Sequence, residues 1–208
     1  INITGGLGNQ LFQIFATVAH CMQHNIKFVL PHHMGTETRP TYWENLLLGM
    51  KQFTTINKDN EMTIQDISRF DRVIEPNFHY NPIILKNTSN SLLWGYYQSY
   101  KYFDKHYNDI CKLFNLNEQQ SSCRYQYHDY LENKCNISMH FRLGDYIKLQ
   151  HMHPIITYQY YENSIKRVLD SMEVSITKRV LVFCEKDDIN TISSIIGQLL
   201  KQSFIINN

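Results

Sequence analysis

INITGGLGNQLFQIFATVAHCMQHNIKFVLP, residues 1–31, decides the reading of the fold. Residues 1–4 end a strand, and GGLGNQ (5–10) is a glycine-rich turn. From about Leu11 to His24 the apolar residues Leu11, Phe12, Phe15, Val18, Ala19 and Met22 recur at helical spacing. Asn25 is a plausible stop, because asparagine tolerates the left-handed conformation that ends many helices. IKFVLP (26–31) then reads as a buried strand closed by Pro31. Strand, glycine turn, helix and strand make a βαβ unit, the building block of an α/β sheet.

A second stretch repeats the rhythm. NISMHFR (136–142) reads as a strand, LGDY (143–146) as a turn and Tyr158 to about Met172 as a helix. RVLVFC (179–184) is a second strand, Asp187 to about Gln202 a helix, and SFIIN (203–207) opens a third strand. This order is half of a doubly wound domain. Between the two stretches, 32–92 hold short apolar runs and turn signals. LLWGYYQSYKYF (92–103) reads as a strand leading into a helix over about 101–113, followed by a polar connector with helical content over 115–135. The chain thus reads as α/β, with two Rossmann-like domains at 1–134 and 135–208.

The 208 residues carry 20 Lys and Arg against 19 Asp and Glu, so the large positive charge of a nucleic-acid binder is absent. No apolar run is long enough to span a bilayer, and no signal peptide is visible. Any membrane association would come through sequence outside these residues, which leaves cytoplasmic and membrane-associated placement both open. Cys21, Cys111, Cys123, Cys135 and Cys184 lack metal-ligand or disulfide-framework spacing. His32–His33 and the pair His151 and His153 lack a spaced third ligand and read as loop histidines. No metal site is expected.

Two segments carry chemistry. GGLGNQ lies where strand meets helix, and the N–H groups and dipole of a helix start favour an anion. A dinucleotide fingerprint needs a third glycine where Leu11 stands, and a P-loop needs a Gly-Lys-Ser/Thr that is missing. The residues alone leave open a tight turn without a ligand, although the amides of Asn9 and Gln10 suit a polar one. HFRLGDY (140–146) ends a strand, the edge of an open α/β sheet where ligands bind. His140 and Arg142 are two apart and share one face, while Phe141 faces packing. An arginine fork suits a diphosphate, and Asp145 would hold Arg142 or cap the next segment. An Arg–Asp pair of purely structural role stays open at this point.

Together these segments resemble the α-1,2-fucosyltransferases of glycosyltransferase family 11. GGLGNQLFQIFA (5–16) is similar to that family's opening segment. GYYQSYKYF (95–103) resembles its GYWQS-x-KYF, with Tyr97 where Trp is usual. HFRLGDY resembles its HxRRGDY, with Leu143 replacing the second Arg. YYENSI (160–165) and VFCEKDD (182–188) resemble its later helix and its FSDD strand end. The resemblance implies a GT-B fold, with the second domain incomplete in 1–208. It implies GDP-fucose as donor, an oligosaccharide or glycoconjugate acceptor of the galactose type, inversion at the anomeric carbon, and no required cofactor or metal. Carried over by motif, Arg142 would contact the donor diphosphate beside His140. Gly6, Gly8, Asn9 and Gln10 would approach the donor from the first domain. Arg142, His140 and Asp145 are the catalytic candidates, and no residue is singled out as base. Two other readings fit the same residues: a catalytically inactive glycan- or nucleotide-binding fragment, and a transferase for another GDP-sugar.

Overall fold

The computed structural model describes residues 1–36, 39–60, 62–85, 90–132, 135–172 and 178–203; for residues 145 and 200–203 it describes the backbone alone. The chain divides into two compact units, Ile1–Cys123 and Arg124–Asn208.

The first unit is organised by α1, Leu7–His24. It starts four residues before the apolar periodicity does and takes in Gly8, Asn9 and Gln10. Glycine disfavours helix, yet tertiary bonds hold this first turn: the Gln10 side-chain nitrogen donates to the carbonyls of Gly5 (2.9 Å) and Pro40 (2.8 Å). The helix ends as expected at Asn25, whose φ of 52° is left-handed. Its inner face, including Ile14, Phe15, Ala16, Val18 and Ala19, packs in one core with Leu30, Trp43, Leu47, Met50, Leu93, Ile110 and Phe114.

The two expected strands flanking α1 are corrected. In residues 1–4 Asn2 N donates to Leu93 O at 2.9 Å, but they form no strand. In 26–31 only Leu30 pairs, bridging Thr54 in parallel sense. Burial of Ile1, Ile3 and Leu30 follows the sequence pattern; a ladder also needs neighbours in register, which apolar residues alone do not supply. The paired strands of this unit lie later: β1 (Gly35–Thr36) antiparallel to β2 (Arg39–Pro40), and β3 (Asp71–Ile74) parallel to β4 (Ser91–Trp94). Between β2 and β3, the short α2 (Ile64–Ser68) is capped reciprocally by Thr63 and Asp66. The helix expected from about 101 forms in steps, as 3₁₀ turns at Tyr100–Tyr102 and Asp104–His106 before α3, Tyr107–Leu113. The connector is helical in α4 (Leu116–Gln126) and α5 (His128–Leu131).

The turn after β4 is tightly specified. One Glu75 carboxylate oxygen accepts the backbone N–H groups of Tyr96 (2.8 Å) and Tyr97 (3.0 Å). Tyr97 has φ 51° and is only 2% exposed, and its hydroxyl donates to Val73 O. Burial, with Glu75 and Tyr102 nearby, pushes the Tyr97 phenol pKa well above its usual value. A Cβ on Gly95 would collide with the Glu75 side chain.

The second unit is the βαβ arrangement read from the sequence. β5 (Asn136–His140) and β6 (Arg179–Phe183) are parallel, His140 opposite Phe183, and α6 (Tyr158–Asp170) lies between them in the chain. A 3₁₀ turn, Lys186–Asp188, leads into α7, Ile189–Ser203. Ile137, Met139, Phe141, Leu143, Tyr161, Ile165, Ile192 and Leu199 form the core. Of the expected third strand, Ser203 ends α7, and 204–207 lie outside the described residues. No described helix is long and apolar enough to cross a membrane.

Two outcomes test this packing. Gly95→Ala forces Glu75 out of its bonds and lowers stability by about 1–3 kcal/mol, the usual cost of overpacking, read from urea unfolding. Burial raises the Cys21 thiol to about 11, so its thiolate is scarce near neutral pH, whereas Cys123 is exposed. A brief iodoacetamide pulse at mildly alkaline pH therefore labels Cys123 well before Cys21, as peptide mass spectrometry will report.

Candidate functional site

The second unit builds its site from the pleat of β5. Phe141 continues the ladder by donating its N–H to Phe183 O at 2.8 Å. Its ring turns inward and stacks on Tyr161 at 4.2 Å between centroids. Tyr161 donates its hydroxyl to His140 O at 3.3 Å, tying α6 to the strand end. With Phe141 turned inward, His140 and Arg142 both line a cavity of about 930 Å³. Its apolar wall includes Val182, Phe183, Ile189 and Ile192, and Glu185 and Ser193 add polar groups. The cavity opens at the carboxyl ends of two parallel strands, where ligands bind in open α/β sheets.

Arg142 is layered rather than loose. Its guanidinium carbon lies 4.9 Å from the centroid of the Tyr146 ring, and Tyr146 stacks on His153 at 4.7 Å. A cation over an aromatic face gains about 0.5–1 kcal/mol at an exposed site. Tyr146 and His153 were not singled out from the sequence as partners of Arg142. Their stacking depends on the 3₁₀ turn Gly144–Lys148 that carries Tyr146. Leu143, where the resemblance has a second arginine, is buried in the core beside Met139 and Phe141.

The turn is fixed from α7. Asp188, only 8% exposed, accepts the N–H of Gly144 at 3.0 Å. Its carboxylate sits just before α7, where a helix dipole favours negative charge. Gly144 has φ 29°, and a Cβ there would lie 2.9 Å from a Glu185 carboxylate oxygen. Asp188 is thus the acidic group seen bracing this turn. The Asp145 backbone is part of the turn, and its side chain lies outside what is described.

In the first unit the glycine loop divides its work. Gly5 is required by its φ of 80° and by Asn9 packed against it. Gly6 and Gly8 are different, because a Cβ on either would meet nothing within 4 Å. No atom of the described protein demands glycine there, and the space beside the helix start stays open to an approaching ligand. Gly6 caps α1 without a side-chain bond, and no acidic residue occupies the first turn. The N–H groups of such a turn are available to an anion. Asn9 accepts a 2.6 Å bond from the Gln98 side chain, so two segments 89 residues apart meet. Gln10, a sequence candidate for ligand contact, is 1% exposed and its amide nitrogen is held by Gly5 and Pro40, bonds that shape the loop.

Among the described residues, no group of three or more His, Cys, Asp or Glu could hold a metal ion. His33 Nδ1 accepts instead from Gly35 N at 3.2 Å.

No protein-family model and no solved structure matches the chain. Among curated proteins, it is similar to the O-antigen biosynthesis glycosyltransferase WbnK of Escherichia coli. The two are 27% identical over 206 residues, covering 81% of this chain and 67% of that protein. The chain therefore has a distant homologue among the glycosyltransferases.

The bracing by Asp188 is measurable. Asp188→Ala leaves the Gly144 N–H without its acceptor and costs about 1–3 kcal/mol in urea unfolding. Asp188→Asn keeps an acceptor oxygen and loses less.

Proposed function

We propose that the chain carries the donor-binding machinery of an inverting glycosyltransferase of GT-B architecture. It moves L-fucose from GDP-fucose to a hydroxyl of a galactose-type glycan in α-1,2 linkage. The observation that carries this reading is the placement of Arg142 beside His140 on the wall of a roughly 930 Å³ cavity at the carboxyl ends of β5 and β6. A distant homologue named for O-antigen biosynthesis supports glycosyl transfer in general. The fucose donor rests on the resemblance of GGLGNQLFQ, GYYQSYKYF and HFRLGDY. The proposed domains are 1–134, on the acceptor side, and 135–208, on the GDP-sugar side.

The chemistry follows from charge. In-line attack at the anomeric carbon expels GDP, and negative charge grows on the leaving diphosphate. A fixed cation placed where that charge develops lowers the barrier. Arg142 takes this role, held by Tyr146, with His140 next to it. In the first unit, the open first turn of α1, with Gly6, Gly8 and Asn9, offers N–H groups suited to an anion. The apolar wall of the cavity suits the flat face of a nucleobase. The attacking hydroxyl also has to lose a proton; His140, in the cavity, and Asp145 are the candidates to take it, while Asp188 is already committed to Gly144.

Titration calorimetry tests the proposal. Wild type, in the presence of a chelator, binds GDP-fucose and GDP, and Arg142→Ala weakens that binding and lowers any transfer rate by about a hundredfold or more. Equal affinity in the two proteins would remove Arg142 from the donor site. Preference for a different GDP-sugar in the same titration would replace fucose as the donor.

A further inference from the structure

Several histidines have committed rings. His32 stacks on Trp43, His33 Nδ1 accepts from Gly35, His153 stacks on Tyr146, and His128 Nε2 stands 3.0 Å from a Glu132 carboxylate oxygen. His20 and His24 are different. They stand one turn apart on one face of α1, at its carboxyl end, with ring centroids 4.5 Å apart and planes at 44°. Among the described residues, no hydrogen bond reaches either ring.

This spacing is that of a chelate. Neutral imidazole is the commonest ligand of transition ions. Two imidazoles on one ion, with metal–nitrogen bonds of about 2.1 Å, have centroids about 4.6 Å apart when the bonds meet at a right angle and about 5.3 Å apart at the tetrahedral angle. The observed 4.5 Å matches the right angle, which octahedral and square-planar ions offer. His24 is exposed, so its ring has room to turn toward an ion. His20 is half-buried on the wall of a cavity of about 810 Å³.

The surroundings suit a cation held by neutral ligands. The last turn of a helix carries the negative end of its dipole. Lys27 and Asp59, which line the same cavity as His20, are of opposite sign. Burial, and after it the neighbouring His24, lower the pKa of His20. A lowered value leaves the ring neutral near neutral pH, and a metal needs the neutral ring. Cys21, next in the chain, is a poor third ligand: burial pushes its thiol to about 11, and the thiolate is the form that ligates.

We infer that His20 and His24 form a two-imidazole site for a divalent first-row transition ion, with water completing the coordination. The site goes beyond the transferase reading and does not rest on it, since it lies about 20 Å along α1 from the glycine loop and takes no part in binding a sugar donor. Its effect is local. The carbonyls of Cys21 and Met22, between the two rings in sequence, accept the N–H groups that end α1. An ion joining His20 to His24 clamps that closing turn.

Ni2+ alone is the probe. Diethyl pyrocarbonate modifies neutral imidazoles, and fragment-ion mass spectrometry reads each histidine separately. In wild type, modification of His20 and His24 slows together as Ni2+ rises. At about five times the dissociation constant so measured, both are slowed about sixfold. In His24→Ala the chelate is lost and affinity falls by about tenfold or more, so His20 is slowed about 1.5-fold or less at the same concentration. His24 is exposed, and its variant melts with wild type in chelator, so lost protection is lost binding. His20→Gln exposes His24 in the same way. Absence of protection at either ring in wild type, or equal protection of His20 in wild type and His24→Ala, would overturn the inference.

Discussion

The bond from Phe141 N–H to Phe183 O is the constraint on which the second unit depends. It carries the β5–β6 ladder one residue past His140, and the pleat then decides every neighbour. Ile137, Met139, Phe141 and Leu143 go to the core, and His140 and Arg142 to the cavity. A slip of one residue would exchange the two sets and put a guanidinium into an apolar core. Phe141 against Tyr161 makes such a slip costly, because the stacked ring is almost wholly buried.

The same logic shows what was legible in the sequence. β5, α6, β6 and α7 announce themselves because one periodicity, two or 3.6, fits each of them, and their partners are near in the chain. The shared face of His140 and Arg142 follows from spacing alone. Less local features stayed hidden. Residues 1–4 and 26–31 have strand composition, but a strand is defined by its neighbours, and theirs engage one or two groups each. Gln10 looked like a ligand-reading amide; its partner Pro40 lies 30 residues away. The bracing of the turn after β5 could not be read from spacing either, because its acceptor, Asp188, lies 44 residues from Gly144.

In the first unit a comparable task falls to Glu75. A left-handed non-glycine residue such as Tyr97 costs on the order of 1 kcal/mol or more unless its surroundings impose it. Glu75 imposes it from below through two backbone bonds, and the buried Tyr97 ring with its bond to Val73 imposes it from within. The loop that presents Gln98 is thereby fixed before any ligand arrives. The absent side chain of Gly95 is part of the same device, since it lets the carboxylate come close enough.

The bond between Asn9 and Gln98 also has a history in time. Its two ends are 89 residues apart, so at a synthesis rate of about 5–20 residues per second the glycine loop waits about 4–18 seconds for its partner to be made. In the second unit the corresponding delay is about half as long, because Gly144 and Asp188 are separated by 44 residues. During synthesis, therefore, α1 with its apolar face stays without much of its packing surface through that interval. A chaperone that shields apolar helices would find its longest opportunity there.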